Sequence, residues 1–326
     1  MTRNALISEQ RLKLIEKRQL RPGWGAMYQP SMRATRDEAP TRSRPTTLYS
    51  AKLDRDLQFM ALPERAVALL ALYHPALFEL REQHMLSPFP APHPLAELLN
   101  VLPSDLPHFS GTVDVAHRLG KLSAHPVVRL SEESTPGGEP VRAAFPYLGD
   151  LLVFLEDDAG KYCVNWTVKK HQRDFSQPSM RVVNPLRREK ARLRAELRHQ
   201  IEELYFSDAG IRTVRVAESD IDQYLIANLT WLFGWANHPV SLDEDAYAQI
   251  LRCFQSSIGT PVTPLSQLDS LAKRHAVGRH DCLKALYSAI WNRQLRVDLY
   301  RPIQPDKPLR AERSDVLIDF DHWFKR

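Results

Sequence analysis

YLGDLLVFLEDDAGKYCVNWTVKKH, residues 147–171, holds two apolar runs of strand length, Tyr147–Leu155 and Tyr162–Lys170. Asp157, Asp158, Ala159 and Gly160 between them supply the small and turn-forming residues that a hairpin connection needs. Downstream, Asn184 caps a predicted helix from Pro185 to about Phe206. Its expected buried stripe is Leu186, Leu193, Leu197, Ile201 and Leu204, with Arg187, Arg188, Arg192, Arg194 and Arg198 on the other faces. Ile211–Val216 reads as a further strand. Upstream, Ala66, Leu69, Leu70 and Tyr73 fall at helical spacing in a helix over Pro63–His74, and Leu77–Met85 reads as extended. Residues 87–145 are rich in Pro and His, with one helix expected near Leu95–Leu102. The order helix, strand, hairpin, helix, strand predicts an α/β fold, a mixed central sheet flanked by helices.

The flanks differ from this centre. Residues 1–51 show no convincing hydrophobic period and read as a mostly irregular basic arm. Residues 52–236 form the expected α/β domain. Residues 240–326 turn helical, with a capping box at Ser241 and Glu244, a second helix opened by Thr263 and Pro264, and a third after Gly278. Leu295, Val297 and Leu299 then alternate with polar residues, as in a half-exposed strand, and a basic turn follows. Three helices, a strand and a basic loop give the order of a winged helix.

The chain of 326 residues is 43% apolar and 25% charged, which suits two modest hydrophobic cores. No run of about 18 or more apolar residues suggests a membrane span. The basic N-terminus lacks the apolar stretch of a secretory signal. Cys163, Cys253 and Cys282 are too scattered for a disulfide framework or a zinc pattern, which fits a reducing cytoplasm. Net charge is +5, unevenly spread: residues 1–50 carry ten Lys/Arg against four Asp/Glu, and residues 161–200 eleven against three. Clustered positive charge favours a polyanionic partner such as nucleic acid, although a solvated basic face has the same composition.

The hairpin also carries candidate chemistry. An acid inside one strand and a lysine on the next, here Asp150 with Thr167-Val168-Lys169, is the core of the PD-(D/E)xK nuclease arrangement. Cleaving a phosphodiester calls for a divalent cation on carboxylate and carbonyl oxygens, and for a lysine that positions water and offsets developing charge. The middle acid of the motif is replaced by Thr167. Glu64, in the first turn of its helix, is a candidate second carboxylate, with Glu79 and Glu82 as rivals. The residues by themselves allow plainer roles: Asp150 at a strand edge, Glu64 offsetting a helix dipole. Lys170, His171 and Arg173 suit phosphate contact or a solvated strand end. Trp231, Phe233 and Trp235 are expected to close the core. Arg279, His280 and Lys284, on the third C-terminal helix, suit a DNA groove or a partner protein.

Five segments together resemble TnsA-type transposon-end endonucleases. They are FELREQHMLSPFP (78–90), AHRLGKLSAHPVV (116–128), the 147–171 hairpin, IRTVRVAESDI (211–221) and YLIANLTWLFGWANHP (224–239). The resemblance runs over about residues 52–300. It implies a restriction-endonuclease-like catalytic domain and Mg²⁺-dependent hydrolysis of one DNA strand, the 5′ end, at each transposon end. Mn²⁺ would substitute for Mg²⁺. It further implies a DDE-type transposase and an AAA+ regulator as partners. Glu64, Asp150 and Lys169 match the catalytic positions, with Glu64, Asp150 and the Val168 carbonyl about the metal and Lys170, His171, Arg173, Arg279 and Lys284 on DNA. The helix start, Leu-Pro-Glu, departs from the more usual Ser-x-x-Glu. The competing expectations are a catalytically silent DNA-binding scaffold and a stand-alone defence nuclease.

Overall fold

Alternation along the 147–171 hairpin sets the two faces of a central sheet: Leu151, Val153 and Leu155 pack into one core, Leu152 and Phe154 into another. The computed structural model describes residues 7–41, 43–131, 141–176 and 184–326. In chain order, α1 (Glu9–Gln19) precedes a hairpin of β1 (Thr46–Ser50) and β2 (Arg55–Phe59). Then come α2 (Leu62–Tyr73), β3 (Leu77–Leu86), α3 (Thr112–Arg118) and a short pair, β4 (Val127–Arg129) with β5 (Arg142–Ala144). The centre is β6 (Tyr147–Asp157), β7 (Gly160–Lys169), α4 (Pro185–Asp208) and β8 (Arg212–Ala217). The remainder is α5 (Gln223–Ala236), α6 (Glu244–Ser257), α7 (Pro264–His275), α8 (Arg279–Trp291), α9 (Val316–Asp319) and α10 (Asp321–Phe324).

The sheet order is β3-β6-β7-β8. β6 is antiparallel to both neighbours, whereas β8 returns parallel to β7 after the α4 crossover. α2 and α5 cover one face. Their core continues without a break into α6–α8 and the C-terminal residues Trp323 and Phe324. Trp166, fully buried on β7, donates its indole N–H to the Trp323 carbonyl at 2.8 Å. The C-terminal helical region thus shares a core with the sheet. α3 and α4 cover the opposite face through Val115, Ile201, Tyr205 and Phe206.

Several expectations change. The basic arm contains a regular helix, α1, because Leu12 and Ile15 pack on Val128 and Phe145. Residues 95–100 are turns, and the helix of the 87–145 segment is α3 instead. Asp243 rather than Ser241 caps α6, accepting from the Ala246 N–H at 2.8 Å. Leu295, Val297 and Leu299 do point inward, but they form no strand; a single bridge joins Val297 to Ala311. On α4, Leu186 and Leu193 are exposed because the first half of this helix runs past the sheet and has no core to meet. Among the described residues no helix is long and apolar enough to cross a membrane, and all three cysteines are free.

His84, on β3, packs edge-on against Phe206 with both ring nitrogens buried and unpartnered. Burial lowers its pKa from 6.5 to about 4. The unfolded chain therefore takes up this proton at a higher pH than the folded chain. Stability falls as pH drops from 6.5 to about 4, by on the order of 3 kcal/mol from this ring. We expect His84→Leu to flatten the pH dependence of the urea midpoint across that window. An unaltered slope would show that the ring is not buried in its neutral form.

Candidate active site

The pairing of β6 with β7 runs from Asp157↔Gly160 back to Leu151↔Trp166 and stops there. Beyond that point the Asp150 side chain takes the place of a strand partner, its Oδ2 accepting the Val168 backbone N–H at 2.7 Å. Lys169, one residue on, brings Nζ to 3.7 Å from the same Asp150 oxygen. Nζ also donates to the Val168 carbonyl at 3.0 Å and lies 5.8 Å from the centre of the Phe175 ring. That carbonyl retains a second lone pair.

Glu64 arrives from the first turn of α2, where Pro63 suits the helix start and Ala61 offers no side-chain cap. Its Oε2 accepts the Met60 N–H at 2.8 Å and the Gln83 amide at 3.0 Å. Burial, and then the charge of Asp150, push the Glu64 carboxyl up to about 8, against the opposing pull of Lys169 and two backbone N–H groups. Gln83 reaches it by an unusual route. The β3–β6 register pairs Glu82 with Leu151 and His84 with Gly149, which sets Gln83 level with Asp150. Gln83 adopts φ of +48°, a left-handed conformation costly for a non-glycine residue inside a strand.

The structure thus gathers Glu64, Asp150, Val168 and Lys169 at one end of the sheet. Lys170 and Arg173 are exposed just beyond, and His171 opens the short turn that carries Arg173. Arg279 and Lys284 stand on α8, with no interaction to the site among the described residues. Arg279 pairs with Asp269, and Lys284 lines a surface recess with Trp231 and Trp235. Of that aromatic trio only Phe233 is core, since Trp231 remains 47% exposed. Glu79 and Glu82 are removed from contention by Arg55, which binds both within the buried layer under β2.

The donor set fits a hard dication. Two carboxylates and a backbone carbonyl supply oxygen only, and the burial and the Asp150 charge that raise the Glu64 carboxyl are offset when a cation sits between the two acids. Among the described residues no cluster of three or more His, Cys, Asp and Glu side chains has metal-holding geometry, so backbone and water oxygens would complete such a shell.

Sequence reasoning missed three supports. Glu202, fully buried on α4, accepts from Thr167 at 2.8 Å and Asn165 at 3.0 Å, fixing β7 just before Val168. Its carboxyl is raised by burial and by Asp150. The signal was an acid between Ile201 and Tyr205, on the apolar side of the helix. Gln83 lay in plain view within the REQ triplet, but its role depends on a φ that residue type does not announce. Gly149 is the third. No family model matches this chain, and no curated protein is significantly similar to it.

A Cβ at Gly149 would lie 2.2 Å from Nε2 of His84, a buried ring that would have to shift to admit it. Gly149→Ala should therefore destabilise by about 1–3 kcal/mol through overpacking. Thermal unfolding of His84→Ala, Gly149→Ala and the double variant should be non-additive, the second substitution costing less once the ring is gone. Strictly additive losses would contradict this contact.

Proposed function

We propose that this chain is a metal-dependent DNA endonuclease of the PD-(D/E)xK type, acting as the strand-cleaving subunit of a heteromeric cut-and-paste transposase. The convergence of Asp150 and Lys169 across the strand split, with Glu64 brought in from α2, supports this reading best. Glu64 and Asp150 would hold Mg²⁺, or Mn²⁺ in its place, together with the Val168 carbonyl. The bound cation would neutralise phosphate charge and lower the pKa of an attacking water. Lys169, held against Asp150 and the Val168 carbonyl, presents a compact charge that orients that water and stabilises the transition state. Gln83 and the Met60 N–H fix Glu64, while Glu202 fixes β7. Lys170, His171 and Arg173 would contact flanking phosphates.

The resemblance to TnsA-type proteins supplies the particulars of the proposal. These are a restriction-endonuclease-like catalytic domain, hydrolysis at the 5′ transposon ends, a DDE-type transposase that cuts the complementary strand, an AAA+ regulator, and a cytoplasmic site of action. In this reading α6–α8 and the Val297–Ala311 bridge form a reduced winged helix that docks DNA or the partner transposase.

The test is cleavage of end-containing supercoiled DNA with Mg²⁺ or Mn²⁺, in the presence of the transposase subunit, with Mn²⁺ binding followed by calorimetry. Asp150→Ala and Lys169→Ala should each reduce nicking at least ~100-fold. Asp150→Ala should also weaken Mn²⁺ binding, whereas Lys169→Ala should leave it nearly intact. A catalytically silent scaffold predicts that Asp150→Ala alters neither quantity, and that result overturns the proposal.

A further inference from the structure

The first fourteen residues of α4, from Pro185 to Arg198, contain no buried side chain; burial begins at His199. Half of a helix therefore projects from the body, and its charges are sorted. Arg187, Lys190, Arg194 and Arg198 recur at intervals of three and four residues, one stripe along the helix. Ile201 and Tyr205 continue the same stripe and are buried against the sheet. The face that meets the sheet in the lower half of α4 thus becomes a row of cations where the helix overhangs the sheet end. That end is the one bearing the candidate site. Arg198 donates to the carbonyl of Leu148 at 2.9 Å, two residues before Asp150.

The acids of this segment lie on the other side. Glu189 and Glu196 are both bound to Arg192, which leaves them little influence on the stripe. Among the described residues no carboxylate pairs with Arg187, Arg188, Lys190 or Arg194. A helix exposed merely to solvent gains from mixing its charges as i,i+4 pairs, and Arg192 does this. Four exposed cations in one row repel each other and weaken the helix unless something anionic meets them.

We propose that the overhanging half of α4 is a phosphate-binding arm. Arg187, Lys190, Arg194 and Arg198 hold the backbone of duplex DNA as it enters the Glu64–Asp150–Lys169 site. From Arg187 to Arg198 the stripe extends about 16 Å, long enough to contact several phosphates of one strand. The arm contributes position and affinity rather than base readout. It rests on the nuclease reading for the identity of its ligand, but it is tested by binding instead of cleavage.

The experiment measures binding of the full chain to a generic duplex across a salt series, for wild type, R187Q/K190Q/R194Q and L186Q/L193Q. Glutamine keeps the helix, because its propensity is close to that of Arg and Lys. We expect the triple variant to reduce the slope of log affinity against log salt by about 3, with affinity lower by roughly 10-fold or more near 0.1 M salt. The leucine variant should retain the wild-type slope. A wild-type slope in the triple variant, beside a wild-type chain that binds, overturns the arm and leaves the nuclease reading standing. So does loss of binding in the leucine variant alone, which would mark the helix as a protein-docking element. A wild-type chain with no salt-sensitive duplex binding overturns the arm.

Discussion

One hydrogen bond organises the candidate site: the Val168 N–H given to the carboxylate of Asp150 instead of to a strand partner. A β-hairpin satisfies its backbone by pairing, and any strand that stops pairing in a buried place must find another acceptor. Asp150 is that acceptor, and it holds the two strands apart just where Lys169 emerges. The split is possible because β7 is pinned on both of its faces just before it. Trp166 is anchored to the Trp323 carbonyl on one face, and Thr167 to Glu202 on the other. With core packed on both faces, the parted ends of the two central strands bring a lysine and two acids close together.

That arrangement concentrates discomfort. Glu64 is buried beside a second carboxylate, Gln83 is held at φ of +48°, and the His84 ring is pressed on Gly149 with no hydrogen-bond partner. Each of these works against stability by itself, and all lie within one or two residues of the split, or directly against it. Buried polar atoms without partners also occur elsewhere, as at Ser31, Tyr287 and Ser288, but only here among the described residues do backbone strain, a buried carboxyl beside a second acid and an unpartnered ring meet in one place. The contrast with Glu79 and Glu82 is instructive. They occupy the same strand as Gln83, yet Arg55 binds both, and their layer is structural.

The hairpin, α2, α7, α8 and the long α4 were legible because each carries a clean period together with a start signal. Pro63, Asn184 and Thr263 stand where those helices begin. The errors have physical sources. The leucines of α4 have the right spacing for burial, but spacing says nothing about whether a neighbour exists to bury them. The 295–299 run alternates correctly and packs its apolar side, yet a strand needs a partner backbone along its length, and it meets one only at Ala311. The N-terminal arm lacked a strong period because two residues, Leu12 and Ile15, suffice to seat α1.

By itself the sequence determined the central hairpin, its two faces and the helices that flank it, because these follow from local periodicity and short-range turn chemistry; Asp150 and Lys169 stood out only as a short motif and through the family resemblance. Only the tertiary structure decided which acid joins them. Glu64 meets Gln83 and lies beside Asp150 because of where α2 meets the sheet, whereas Arg55 reaches from β2 to bind Glu79 and Glu82. It also decided that α4 outruns the sheet, which leaves Leu186 and Leu193 exposed beside a row of cations. Contacts between residues distant in the chain depend on packing, and packing is a property of the assembled whole.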